Sequence, residues 1–193
     1  MTDVIDSLAG ITPGSPIDAI RSQRPQARVH AQASHDSLFT PLSEADASRR
    51  ERLAIASFVA GLHNQPDIVA FYEKGLDERA LTDAIASAAA AGRSHGPYGQ
   101  YPKGPLSAED KPGPLHRVAS PVREMFGPRL AAAFEHAHML VFHPRDAAPS
   151  HLQALIDAGW STTGIVVISQ LVAFLSYQLR VVAGLRVLKA RPA

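Results

Sequence analysis

The chain has 193 residues, of which 46% are hydrophobic and 19% charged, and its formal net charge is +1. This length and balance indicate one globular domain with its own core, and the near-zero charge argues against a nucleic-acid-binding surface. Because the sequence contains no cysteine, disulfides, thiolate metal sites and thiol catalysis are excluded.

The first 40 residues are polar and are interrupted by Pro13, Pro16 and Pro25. We predict an N-terminal arm over 1–40, extended across the body or a neighbouring subunit, with disorder as the alternative. A short helix can begin at Ser15, because proline is tolerated at the first helical position. No basic segment followed by a long apolar core opens the chain, so we expect no signal peptide and a cytoplasmic protein.

Three helices are predicted next. Ser43 is placed at the start of a helix that continues to about Leu62. Pro66 opens a second helix that ends near Lys74, and a third runs from a cap at Asp77 to Gly92. Neither sustained alternation nor a hairpin turn is present, so the sequence predicts an all-α fold.

Residues 93–117 are rich in proline and glycine and form a long predicted loop. Its tyrosines can pack, so the loop is interpreted as a packed surface excursion, or as a lid or subunit contact. Short helices are then expected over 120–127 and 150–158, with a longer one over 128–143 between them. Residues 189–193 are predicted to be a frayed tail.

The most apolar stretch is residues 157–188. Gly159 can end the preceding helix in a left-handed conformation, and Ser161 can cap the next. Apolar residues then recur at helical spacing, at Ile165, Ile168, Leu171, Val172, Leu175, Leu179, Val182 and Leu185. Since the opposite side is also rather apolar, we expect burial in the core or against a copy of the same chain. Polar interruptions argue against the alternative, a membrane span.

Residues 152–187, LQALIDAGWSTTGIVVISQLVAFLSYQLRVVAGLRV, resemble the C-terminal part of the carboxymuconolactone decarboxylase and alkylhydroperoxidase D-like family. Residues 42–76 resemble the helical hairpin of that family, and the helix 129–142 extends the likeness. The resemblance implies a domain over 41–188 with about seven or eight helices. It also implies assembly as a homo-oligomer, either a dimer, a trimer or a hexamer.

Peroxidases of the resembled family carry a Cys-x-x-Cys pair followed four residues later by His, with a Glu one helix upstream. These positions fall here on Asn64, Asp67 and Phe71, or, one residue later, on Gln65, Ile68 and Tyr72. The upstream Glu falls near Arg52, beside Glu51. Both thiols are missing in either register, so the sequence predicts no thiol peroxidase activity.

Decarboxylation of a lactone, the other activity in the family, needs an enolate-stabilising pocket and a proton donor. The candidates for such roles are Glu51, His63, Tyr72 and Arg180. Arg180 lies within the most apolar helix, and it is interpreted as an inter-helix or inter-subunit ion pair, or else as a clamp for a substrate carboxylate.

No cofactor and no metal are predicted. A single Glu-x-x-His occurs where a di-metal site needs two, and the weak candidate metal ligands are Glu135, His136, His138 and His143. We therefore expect a small-ligand-binding or accessory oligomer, with no nucleic-acid or membrane partner. The alternatives are a decarboxylase or lyase acting on a carboxylated lactone-like substrate, and a purely structural oligomer.

Overall fold

A computed structural model describes residues 3–96 and 98–190, and these residues form nine α-helices without a β-strand. The helices are α1 (Val4–Ala9), α2 (Pro16–Ser22), α3 (Pro25–Phe39), α4 (Arg49–Leu62), α5 (Pro66–Glu73), α6 (Arg79–Gly92), α7 (Ser120–Phe142), α8 (Pro149–Asp157) and α9 (Thr162–Ala190). The all-α prediction is confirmed.

Helices α4 and α9 form the centre of the fold. Eleven of the fourteen α4 residues, from Arg52 to Leu62, are buried, and α4 packs against α5, α6, α7 and α9. The eight apolar residues predicted to form the inner stripe of α9 are all buried. The predicted start of α9 is also correct, because Ser161 Oγ accepts from the Gly164 amide at 2.9 Å and Gly159 has φ 94°.

The expectation of an extended arm over residues 1–40 is wrong. Three helices form there, and α1 and α3 pack against α9. A buried ion-pair cluster holds them together: Arg21 binds Asp3 at 2.6 Å and Asp6 at 2.9 Å, and Arg28 binds Asp6 at 2.8 Å. Because these carboxylates are almost fully buried, they need their arginine partners, and the apolar side chains of the segment join the core of the body.

The predicted start of α4 at Ser43 is also wrong. The cap is Ser48, whose hydroxyl accepts from the Glu51 amide while the Glu51 carboxylate accepts from the Ser48 amide. Such a reciprocal capping box satisfies two amides at once. Glu44 satisfies a third by accepting from the Arg49 amide, so the segment before Ser48 remains outside the helix.

The described residues of the segment 93–119, which leave out residue 97, are irregular, with a short 3-10 helix at Pro105–Glu109 and a single bridge between Gly99 and Lys111. Its hydrogen bonds tie it to the end of α7, since the Tyr98 amide donates to the Phe142 carbonyl at 3.1 Å. Within α7, Gly127 has φ 72°, which divides the helix where the sequence predicted two. Lys189 and Ala190 continue α9 rather than forming a tail, and residues 191–193 lie outside the described residues.

Helix α9 is long and apolar enough to cross a membrane by length and composition, and half of its most apolar window is buried inside the protein. A core helix meets the same criteria when its neighbours cover one side of it. The packing of α1, α3, α4, α7 and α8 against α9 fits that role.

Candidate functional site

Two of the four candidate catalytic residues have structural roles. Glu51 closes the capping box of α4 and accepts from Arg129 Nε at 2.6 Å. Tyr72 is 1% exposed, and its hydroxyl donates to Gln178 Oε1 at 2.6 Å. Burial raises the pKa of the Tyr72 hydroxyl, so this group stays protonated at physiological pH.

The other two candidates, His63 and Arg180, lie together. They line a cavity of about 410 Å³ between the end of α4, the loop 93–119, the end of α7 and α9. Gly96, Tyr98, Val141, Phe142, Pro144 and Arg145 complete its wall. We regard this His63–Arg180 cavity as the candidate functional site, because predicted residues from distant parts of the sequence meet there.

His63 occupies the C-terminal cap of α4, just after the last buried turn. Its Nε2 is buried and has no hydrogen-bond partner among the described residues. Burial, reinforced by the positive charge of Arg180, lowers the pKa of His63 from 6.5 to about 4. The ring is therefore neutral at physiological pH, and a polar group of a ligand could form the hydrogen bond that its buried nitrogen lacks.

Arg180 does not form the predicted ion pair within the chain. It is exposed, and its Nη1 donates to the Ser176 carbonyl one turn earlier on α9, at 3.0 Å. No described carboxylate lies within salt-bridge distance of Arg180 or of Arg145 on the facing wall. Arg145 instead donates to the Tyr98 carbonyl at 3.0 Å and lies 3.8 Å above the Tyr101 ring. The cavity thus has two cations without an acidic partner among the described residues.

Arg145 was missed by the sequence reasoning. It follows His143-Pro144, which ends α7 and turns the chain toward the loop. That dipeptide predicted the helix end, but nothing in the sequence shows which loop the next side chain would contact.

The positions onto which the resemblance would place the peroxidase motif carry side chains without redox chemistry. Asn64 has a left-handed backbone with φ 53°, and Asp67 pairs with Arg186. Gln65 Oε1 accepts from Arg186 at 3.3 Å. Ile68 is buried and Phe71 packs against the core. Both registers of the motif therefore place structural side chains where a peroxidase has thiols.

The candidate metal ligands line a second cavity of about 310 Å³, between α7, α8 and the loop. The side chains with polar atoms at this wall are Arg117, Glu135, Ser150 and five histidines: His116, His136, His138, His143 and His151. We call it the histidine cavity. Within the described part of the chain, no group of three or more His, Asp or Glu side chains is arranged to hold a metal ion. Glu135 is occupied by Arg117 at 2.7 Å and Arg123 at 2.6 Å.

The rings of the histidine cavity are stacked and desolvated. His116 lies over His138 with centroids 4.6 Å apart. His138 Nε2 lies 2.9 Å from the Gly92 carbonyl, which can only accept, so Nε2 holds the proton and Nδ1 is a free acceptor. Burial lowers the pKa of His136 and His138 to about 4, helped by neighbouring histidines. His143 Nδ1 is 3.3 Å from Asp146 Oδ2 but lacks hydrogen-bond alignment.

Comparison with known proteins gives no match: no protein-family profile, curated protein or solved structure is similar to this chain.

Proposed function

We propose that this protein binds a small carboxylate-bearing molecule in the His63–Arg180 cavity and has no thiol peroxidase activity. The observation that carries the proposal is the wall itself. Two arginines without an acidic partner among the described residues face one cavity with a buried, unpartnered imidazole nitrogen. Guanidinium groups form strong paired hydrogen bonds with a carboxylate.

The remaining wall favours a compact organic acid over a bare inorganic anion. Val141 and Phe142 supply apolar surface, and Tyr98 supplies an aromatic ring. A volume of about 410 Å³ falls within the usual range of small-molecule sites. Arg180 and Arg145 would hold the carboxylate, and His63 would exchange a hydrogen bond with a second polar group such as a lactone oxygen.

This assignment agrees with the likeness to the carboxymuconolactone decarboxylase and alkylhydroperoxidase D-like family. The residues that carry the likeness fold into helices α4 and α5 and helices α7 to α9. We propose a cytoplasmic, cysteine-less member that acts as a ligand-binding or accessory protein and assembles as a homo-oligomer. A dimer, a trimer or a hexamer would each cover apolar surface on α9.

Decarboxylation in the same cavity is a second candidate. The carbon–carboxylate bond would break, carbon dioxide would leave, and the electron pair would remain on a lactone enolate. Arg145 or Arg180 would stabilise the enolate oxygen, and the N–H of neutral His63 would deliver a proton that solvent then replaces. The observation favouring this candidate is the contact of His63 and Arg180 with one cavity.

Titration calorimetry tests the binding proposal with 5-oxotetrahydrofuran-2-carboxylate and its methyl ester. We expect the acid to bind and the ester to bind at least about tenfold more weakly, since the ester lacks the charge that the arginines recognise. Arg180→Gln and Arg145→Gln should each weaken acid binding by about tenfold or more. The control Arg79→Gln, at an exposed position of α6, should leave acid binding unchanged.

Equal binding of acid and ester, or full affinity in both cavity variants, would refute the proposal. For the decarboxylase candidate, the test substrate is 2-oxotetrahydrofuran-3-carboxylate, whose carboxyl group lies alpha to the lactone carbonyl so that loss of carbon dioxide leaves an enolate. With its carboxyl group labelled by carbon-13, it should release labelled bicarbonate with the wild type. His63→Gln should abolish that release while keeping acid binding. No release above the buffer rate would leave the protein a binder.

A further inference from the structure

An exposed stripe runs along the outer side of α9. Its positions repeat at alternating intervals of four and three residues, and each is exposed in the single chain: Val166, Gln170, Ala173, Tyr177, Arg180, Gly184 and Val187. Val166, Tyr177 and Val187 are 54%, 44% and 55% exposed, which is high for side chains of their size and polarity. We call these seven positions the outer seam.

The spacing of the outer seam is that of a coiled-coil contact. Positions that alternate by four and three residues follow a period of 3.5, which keeps one line of side chains facing a partner helix. From Val166 to Val187 the seam is about 32 Å long at 1.5 Å per residue. The buried side of α9 faces its own domain, so the helix carries two contact faces.

We propose that a second copy of this chain covers the outer seam, with its α9 packed antiparallel to the first. In this register Tyr177 of one copy faces Arg180 of the other, and Ala173 faces Gly184. Both contacts occur twice because the two-fold axis passes between positions 177 and 180. The contact is closed and self-complementary, as two-fold interfaces are.

Charge selects the antiparallel arrangement over a parallel one. A parallel pair would place Arg180 directly against Arg180 of its copy, which is repulsive at short range. The antiparallel pair places each guanidinium against an exposed tyrosine ring, which attracts a cation. Arg180 has no acidic partner among the described residues, so the ring of the second copy meets a guanidinium that is not in an ion pair within the described chain.

Small residues allow the two helices to approach. Ala173 and Gly184 face each other across the seam, and a Cβ added at Gly184 meets no atom within 4 Å in the single chain. A glycine inside an exposed helix is less stable there than alanine. At this position the cost is offset if the absent side chain lets a partner helix pack closely.

The interface also completes the candidate site. Arg180 belongs both to the outer seam and to the wall of the His63–Arg180 cavity. Tyr177 of the second copy would therefore lie at the edge of that cavity and restrict the motion of the arginine. This inference deepens the homo-oligomer part of the proposed function and is independent of which ligand binds.

Cysteine cross-linking of the full-length chain tests the register, since the wild type contains no cysteine. A disulfide needs Cα atoms about 4.4–6.8 Å apart. Positions 173 and 184 of one helix are about 16 Å apart, so they cannot bridge within a chain. The variant carrying both Ala173→Cys and Gly184→Cys should form a covalent dimer under mild oxidation, whereas each single variant should not. A control with Ala80→Cys and Ala90→Cys, at two exposed positions of α6, should remain uncross-linked.

Light scattering of the untreated wild type, run in parallel, separates the possible failures. The antiparallel seam is supported if the double variant cross-links, neither single variant does, and light scattering shows that the wild type is an oligomer. Cross-linking of either single variant indicates a parallel pair and overturns the proposal. If the wild type is an oligomer but the double variant does not cross-link, the contact at the outer seam is refuted and the homo-oligomer proposal stands. If the wild type is a monomer at micromolar concentration, both proposals are refuted. A monomer that sediments with phosphatidylglycerol vesicles would identify a membrane as the occupant instead.

Discussion

Acid should destabilise this protein well above the pH at which carboxylates titrate, because the histidine cavity holds neutral rings out of water. His136 and His138 are 6% and 2% exposed, and the pKa of each is lowered from 6.5 to about 4. At about 1.4 kcal/mol per pH unit, this difference corresponds to about 3 kcal/mol for each ring. The sum, roughly 6 kcal/mol, is a large part of the stability of a typical domain.

The sign follows from proton uptake. The unfolded chain binds these protons near pH 6.5, and the folded chain binds them only near pH 4. Between these values the unfolded state holds more protons, so the free energy of unfolding falls as the pH falls. The contribution of the two rings is complete above about pH 6.5 and is lost by about pH 4.

Urea unfolding at pH 7.5, 6.0, 5.0 and 4.5 measures this effect. The wild-type midpoint should drop steeply across the series. His138→Gln should lower stability at pH 7.5 yet flatten the slope below pH 6.5 by up to about 1.4 kcal/mol per pH unit. His30→Gln, at an exposed position, should keep the wild-type slope. A midpoint that stays constant from pH 7.5 to 4.5, or an unchanged slope in His138→Gln, would refute the reasoning.

Three further outcomes are expected. Arg129→Gln should lower the free energy of unfolding, measured in urea, by about 2–4 kcal/mol. The reason is that Arg129 binds Glu51 and the Gly159 and Asp46 carbonyls and stacks 3.9 Å from the Trp160 ring. A loss below about 0.5 kcal/mol would contradict that role. Tyr72→Phe should lower the free energy of unfolding by about 1–3 kcal/mol in the same measurement, because Gln178 loses its buried hydrogen-bond partner. If the variant is as stable as the wild type, water has replaced the hydroxyl and the reasoning is contradicted. Cumene hydroperoxide with dithiothreitol should be consumed no faster with protein than without it, and a faster rate would reveal redox chemistry that needs no cysteine.

The sequence predicted most of the fold where caps and periodicity are local. The inner stripe of α9, its Ser161 cap and the break at Gly127 are short-range patterns, and each is confirmed. The folded N-terminal segment was missed because its stability depends on Arg21 reaching two carboxylates 15 and 18 residues away. Such pairing leaves no periodic trace in a sequence.

The candidate site was only half predictable for the same reason. His63 and Arg180 were chosen because their side chains can donate a proton or stabilise an anion, and they line one cavity. Tyr72 and Glu51 had the same features, but tertiary hydrogen bonds to Gln178 and Arg129 occupy them. Arg145 lies at the site because the loop 93–119 packs on the end of α7. That packing depends on long-range contacts such as the hydrogen bond from the Tyr98 amide to the Phe142 carbonyl.

The central claim is that a carboxylate-bearing ligand occupies the His63–Arg180 cavity. Long-range proton–nitrogen correlation spectra of the imidazoles, recorded during titration with 5-oxotetrahydrofuran-2-carboxylate, test it most directly. We predict that the nitrogen signals of His63, assigned with His63→Gln, shift in a saturable manner while those of exposed His30 stay in place. The claim would be contradicted if the signals of another histidine shift to saturation while those of His63 stay in place. It would also be contradicted if no signal shifts at millimolar ligand.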